Sequence, residues 1–244
     1  MKLFVLIILS GLINIKVALG QAPGRQVEEA EEAWFQYYNT LNLSSKVSLK
    51  SDIGVREAFF MENLKQFLVR SGAYFQIHPQ ATVGLGAAYF LSEDKGIMRP
   101  ELRPFQEIEL KGTRLGRLDL THRFRLEERF FRSVIREGIS SGTNFNYRAR
   151  YRVLLLIPLN QKEMQDRTFF LSLFDEVMLN FGNQIVSNVL NNNRLGAGLG
   201  YQVNEQLRVV PTYIFQIGQK ASGNTFTHTH ILWLTLNHTL KLTR

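Results

Sequence analysis

Cysteine is absent from this 244-residue chain. Its absence rules out disulfides, thiolate nucleophiles, iron–sulfur ligation and cysteine zinc sites. Long apolar runs are nearly as scarce. Beyond the first twenty residues, nothing approaches the roughly 18–20 residues that a spanning helix needs. Only a helix or a closed barrel satisfies every backbone polar group in lipid, so membrane entry by the rest of the chain would require a barrel. Low-complexity runs, a P-loop, G-x-S-x-G and H-x-S-N-G are missing too. The GLGAAY and GAGLGY runs lie inside strand patterns and do not open a helix, so they are not read as nucleotide loops.

The opening MKLFVLIILSGLINIKVALG differs in character from the remainder of the chain. Lys2 precedes an apolar run from Leu3 to Ile15, and Ala18-Leu19-Gly20 offers small residues before Gln21. This is the pattern of a cleaved secretory signal over residues 1–20. A glutamine rather than a cysteine after the cleavage point argues against lipid attachment there. The formal charge is +8; Lys2 and Lys16 carry two of these charges, so the exported chain keeps +6. A basic balance suits nucleic acid or anionic surfaces, and the placement of the charges decides between such readings.

From Trp34 onward the period is two. In GRLDLTHRFRLEERFF (116–131) one face carries Leu118, Leu120, His122, Phe124 and Leu126. The other carries Arg117, Asp119, Thr121, Arg123, Arg125, Glu127 and Arg129. As a helix this stretch would scatter both sets around its circumference; as a strand it separates them cleanly. Residues 146–157 repeat the pattern, with Tyr147, Tyr151, Val153 and Leu155 opposing Arg148, Arg150 and Arg152. The same alternation runs through 46–56, 67–77, 81–90 and 194–203, and more weakly through 34–42, 101–111, 168–181, 207–217 and 227–241. Most of these strands reach about ten residues, the length of a tilted membrane strand, whereas globular strands center near 5–6.

Tight connections are expected near 42–45, 78–80, 111–115 and 204–206, with an intermediate one at 159–166. Longer ones are expected near 58–65, 92–100, 132–145, 182–193 and 218–226. Short turns on one rim and longer loops on the other suit an outer-membrane barrel. The fold class is therefore an all-β, antiparallel transmembrane β-barrel of about 10–12 strands, occupying residues 34–244. About eleven strands can be read directly. Because single-chain bacterial barrels have even strand numbers, ten and twelve both stay open and twelve is favored. The acidic segment 21–33, with Glu28, Glu29, Glu31 and Glu32, is read as a solvated N-terminal tail or as a partial neutralizer of the barrel mouth.

Alternation does not say which face points inward. Three features favor a polar lumen: Gly84, Gly86, Gly196, Gly198 and Gly200 fall on the polar face; Phe67, Tyr89, Tyr147 and Tyr201 sit towards the strand ends of the apolar face; and the chain begins with an export signal. The lumen-lining set is then Arg56, Arg70, Arg117, Arg123, Arg125, Glu127, Arg129, Arg148, Arg150, Arg152, Glu176 and Arg194, with Glu101 and Glu107 if 101–111 keeps that register. Arginine–carboxylate ladders would brace such a lumen, since guanidinium forks suit this role better than ammonium groups. Left open, the lumen would prefer small anionic solutes, because arginine rings select anions. The expected surroundings are outer-membrane lipid. Arginines on alternate strand positions, with no stacking aromatics between them, argue against nucleic acid.

No catalytic, metal or cofactor set emerges. His228 and His230 share one side of a strand, but no carboxylate is near them in sequence, so they are placed at a loop end. His78 falls in a turn, and His122 lies on an apolar face. Ser172 and Glu176 share a face without a histidine, as a Ser–His hydrolase would require. Two alternatives have different signatures. A soluble periplasmic ligand-binding barrel would turn its apolar face inward, and an outer-membrane lipid-modifying enzyme would gather His, Ser and a carboxylate at a rim.

The runs PELRPFQEIEL (100–110), LTHRFRLEERF (120–130), YRARYRVLLLIPL (147–159), FDEVMLNFG (174–182) and NNRLGAGLGYQV (192–203) resemble the family called domain of unknown function 2490. WFQYYNTLNLSSKVSLKSDIGVRE (34–57) is similar to that family's opening. The most specific element is H-R-x-R-x-E-x-R, here His122, Arg123, Arg125, Glu127 and Arg129, followed by R-x-R-Y. The resemblance implies export and an outer-membrane barrel of the kind common in Bacteroidetes. It brings no activity and no catalytic residues.

Overall fold

The computed structural model describes residues 26–242 apart from 59–62, 113–115, 137, 184 and 186. The expected signal segment 1–20 lies outside the described residues. Among the described residues thirteen strands run in chain order: β1 (Gln26–Asn42), β2 (Val47–Ala58), β3 (Leu64–His78), β4 (Ala81–Asp94), β5 (Ile97–Lys111), β6 (Asp119–Phe131), β7 (Val134–Ile135), β8 (Gly138–Ile139), β9 (Asn144–Pro158), β10 (Thr168–Phe181), β11 (Leu190–Gln202), β12 (Leu207–Gln219) and β13 (Thr225–Lys241). β7 and β8 form a small hairpin in the β6–β9 loop, and the other eleven close into one barrel.

Eleven replaces the twelve favored on parity, and each of the eleven alternating segments read from the sequence is one of these strands. An odd up-and-down meander begins and ends with strands running the same way, so closure must be parallel. β1 pairs with β13 in parallel from Gln26↔Thr225 to Asn42↔Lys241, while every other barrel pair is antiparallel. The acidic segment is corrected accordingly. Its residues 26–33 belong to β1, where β13 supplies the partner backbone that local sequence does not reveal. The expected long connection at 92–100 is corrected too. β4 and β5 continue through it to a two-residue turn, with Lys95 at φ 52° and Gly96 at φ 80°. Two positive φ values in succession are what a tight hairpin turn requires.

The faces fall as the polar-lumen reading expects. Ile53, Leu85, Phe124, Leu195 and Leu232 are each 46–59% exposed on the outer wall, while Glu101, Arg125, Glu127 and Glu176 are buried within. The reversed arrangement of a soluble barrel with an apolar interior does not describe this molecule. Aromatic pairs stud both ends of the outer wall. Tyr147 stacks on Phe181 at the long-loop rim, and Phe169 meets Tyr201 at the short-turn rim.

The inward glycines make room for ring side chains. Tyr74 lies over Gly84, Phe174 over Gly196 and Phe170 over Gly200. At Gly86 an added Cβ would meet Phe105 Cζ at 2.5 Å and the Gly72 Cα at 2.7 Å. Phe105 is buried and carries the Arg125 guanidinium 4.4 Å from its ring centroid. Gly86→Val is expected to destabilize the barrel by about 1–3 kcal/mol through overpacking, measured as a lower urea midpoint. Gly142→Ala, where nothing lies within 4 Å, should leave that midpoint unchanged.

Candidate functional site

Strand alternation delivers the charged side chains to the lumen, and register decides which of them meet. Across β6 and β9, Arg123 faces Arg152, Arg125 faces Arg150 and Glu127 faces Arg148. Like charges directly opposite are unfavorable, so neighboring carboxylates reach diagonally between them. Glu176 on β10 lies 2.6 Å from Arg123 and 2.8 Å from Arg150. Glu107 on β5 lies 2.6 Å from Arg125 and 3.9 Å from Arg123. Glu127 lies 2.7 Å from Arg150 and 3.8 Å from Arg125, and it also binds Arg148. These contacts form a closed, alternating ring: Glu127, Arg150, Glu176, Arg123, Glu107, Arg125 and back to Glu127.

A second knot sits towards the long-loop rim. Glu101, fully buried, pairs with Arg103 and Arg129, each at 2.6 Å. On the other side of β4, Asp52 holds Arg70 at 2.6 Å and accepts a hydrogen bond from Gln36 at 2.6 Å. Apolar side chains line the wall where the barrel closes. Trp34, Ile214 and Ile231 form a buried cluster with Phe174 and Trp233 packed against it.

Two vestibules enter this interior. The one at the long-loop rim has a volume of about 390 Å³ and the one at the short-turn rim about 270 Å³. They share a waist of Tyr38, Phe174 and Trp233 with Arg70, Arg123 and Arg152. Of the three waist arginines, Arg70 and Arg123 are held by carboxylates. Arg152 has no carboxylate within 4 Å among the described residues, and its buried Nε has no hydrogen-bond partner.

Eleven of the twelve residues assigned to the lumen are inside it. Arg117 is the exception and is corrected. It is exposed in the turn before β6, where Gly116 has φ 62°, so the alternation was extended past the strand end. Glu101 and Glu107 do point inward. Arg103 and the lumen aromatics were missed. Arg103 could have been found from the face shared by Glu101, Phe105 and Glu107, whereas Trp34 and Trp233 sit in strands whose alternation is weak.

The histidines lie on the outer wall or at a turn. His228 and His230 are not at a loop end. They lie within β13, and the parallel seam brings Glu29 to 3.2 Å from His228 Nδ1 and 3.7 Å from His230 Nε2. That carboxylate lies some 200 residues away in sequence, so local spacing could not show it. His122, His230 and His238 each share a hydrogen bond with a tyrosine hydroxyl, from Tyr151, Tyr213 and Tyr37 respectively. Ser172 and Glu176 lie buried in the lumen. Among the described residues no group of three metal-ligating side chains is placed to hold a metal ion.

Removing one ring carboxylate isolates several guanidinium groups at once. Glu176→Gln is expected to cost about 3–5 kcal/mol, the range for breaking a buried ion pair. A loss under about 1 kcal/mol in urea unfolding would mean that the ring is screened like a surface pair.

The model of a family described as a protein of unknown function (DUF2490) matches residues 31–227. No curated protein matches the chain. Among solved structures, one described as NanC porin in a rhombohedral crystal form is similar, with a TM-score of 0.49 and 10% identity, covering 79% of this chain and 90% of that one.

Proposed function

This chain belongs to the DUF2490 family, for which no activity is described, and from its own geometry we propose that it is an outer-membrane barrel passing small anions through an arginine-lined waist. The observation that carries this reading is the pairing of an apolar outer wall with a lumen whose arginines outnumber its carboxylates. Exposed apolar surface on this scale is a liability in water and suits acyl chains. Export by the segment 1–20 belongs to the same reading.

The bracing and the selectivity fall to different side chains. The alternating ring fixes the walls along β5, β6, β9 and β10. Arg152 is left at the waist with no carboxylate within 4 Å among the described residues, and a low-dielectric constriction magnifies its field. Permeating anions would meet that field while cations are repelled. The reading assigns no chemical reaction to the barrel.

The protein is expected to fractionate with outer membranes and to change gel mobility between unboiled and boiled samples; recovery in the soluble periplasm would overturn the membrane assignment. In planar bilayers the reversal potential under a salt gradient should show anion preference, and Arg152→Glu should move it towards cations. A wild-type barrel that inserts without measurable conductance would sink the pore and leave a structural lumen.

A further inference from the structure

The long-loop vestibule is lined by ten arginines and one lysine against four carboxylates. Most of these arginines are already committed to carboxylates. Arg56 and Arg194 stand apart, and both lie against one indole. The Arg56 guanidinium is 4.0 Å from the Trp34 ring centroid and that of Arg194 is 4.8 Å away. Arg56 has no carboxylate within 4 Å among the described residues, and its buried Nε has no partner. Arg194 donates its Nε–H to Gln216 at 2.6 Å, and its nearest carboxylate, Glu176, is 3.7 Å away. Glu32, the local acid, accepts the Trp34 indole N–H at 2.6 Å.

We propose that this vestibule is a binding site for a small multivalent oxyanion, of the phosphate or sulfate type, held by Arg56 and Arg194 beside Trp34. Two guanidinium groups brought to one ring repel each other unless an anion lies between or beside them. Their planar N–H forks match pairs of oxygens and not a monatomic ion, which sets oxyanion above chloride. The indole holds both guanidinium groups by cation–π contact; Arg56 meets no carboxylate within 4 Å among the described residues, and Arg194 meets only Glu176, at 3.7 Å. The cavity volume of about 390 Å³ falls in the range of small-ligand sites. The site deepens the anion-pore reading as the place where a permeating anion would pause, but it is tested apart from conductance.

The chain has two tryptophans, so Trp233→Phe leaves Trp34 as the sole indole reporter. The folded barrel in detergent is titrated with sodium phosphate against sodium chloride at constant ionic strength. A saturable change in Trp34 fluorescence is expected with phosphate and not with chloride. Arg56→Gln and Arg194→Gln should each weaken phosphate binding about tenfold or more. Arg208→Gln, on the wall of the short-turn vestibule, should leave it unchanged. Arg56→Lys keeps the charge without the fork and should also bind phosphate more weakly, which separates oxyanion recognition from charge alone. Equal responses to phosphate and chloride, or saturable binding indifferent to Arg56 and Arg194, would overturn the site. Anion-selective conductance without saturable binding would sink the site and spare the pore, and saturable binding in a non-conducting barrel would do the reverse.

Discussion

The carboxylate shared among several arginines is the contact on which the interior depends. Burying a lone guanidinium or carboxylate is costly, and a simple buried pair often fails to recover that cost. Here Glu127 and Glu176 each engage three arginines, and Glu101 lies within 4 Å of three as well. Arginine suits this role because one guanidinium can bridge two acids, as Arg150 does between Glu127 and Glu176. A lysine ammonium offers no such planar fork. The ring therefore acts as a crosslink between four strands, adding side-chain ties to the backbone ladders.

The same lattice fixes register. A one-residue slip of β6 would turn Arg123, Arg125 and Arg129 outward, and each arginine facing the middle of a bilayer costs about 2–4 kcal/mol. Strands with weaker charge alternation need another lock, and the closing pair has one on each face. Inside, Trp34 lies directly opposite Trp233 in the register, with ring centroids 6.2 Å apart. Outside, Tyr37 meets His238, and Glu29 meets His228. Parallel pairing is slightly weaker per residue than antiparallel pairing. A long seam, fastened on both sides, offsets that weakness and lets an odd meander close.

How much of this the sequence discloses depends on the range of each interaction. Alternation is local, so HRFRLEER and YRARYR reveal both their strands and their lumen faces, and the orientation of Phe124 against Arg123 is as read. Turn chemistry is local as well, but the Lys95-Gly96 hairpin is hidden within the polar stretch SEDKG (92–96), which reads as part of a longer loop. Closure is not local. The pairing of β1 with β13 joins residues about 200 positions apart, and with it come the strand identity of the acidic segment, the Glu29–histidine contacts and the indole pair. The parity rule misled because it describes how barrels usually close, whereas the count of alternating segments reflects this chain directly. Arg117 shows the opposite limit: alternation has no stop signal of its own, and Gly116 had to be read as one.

Charge in the lumen is divided by ion pairing as well as by position. Each arginine within the ring lies within 4 Å of two carboxylates, so its replacement should act first on stability. Arg56, Arg152 and Arg194 hold little or no carboxylate contact and lie on three different strands, β2, β9 and β11. Removing Arg56 or Arg152 breaks no ion pair within 4 Å among the described residues, and removing Arg194 breaks only its 3.7 Å contact with Glu176, so ion pairing gives the fold little stake in them. Under the proposed function, anions from solution would complete the neutralization of these three groups in a confined, low-dielectric space. On the proposed reading, the barrel's mechanical strength and its affinity for anions would reside in separate sets of arginines, so that one set could be altered without dismantling the other.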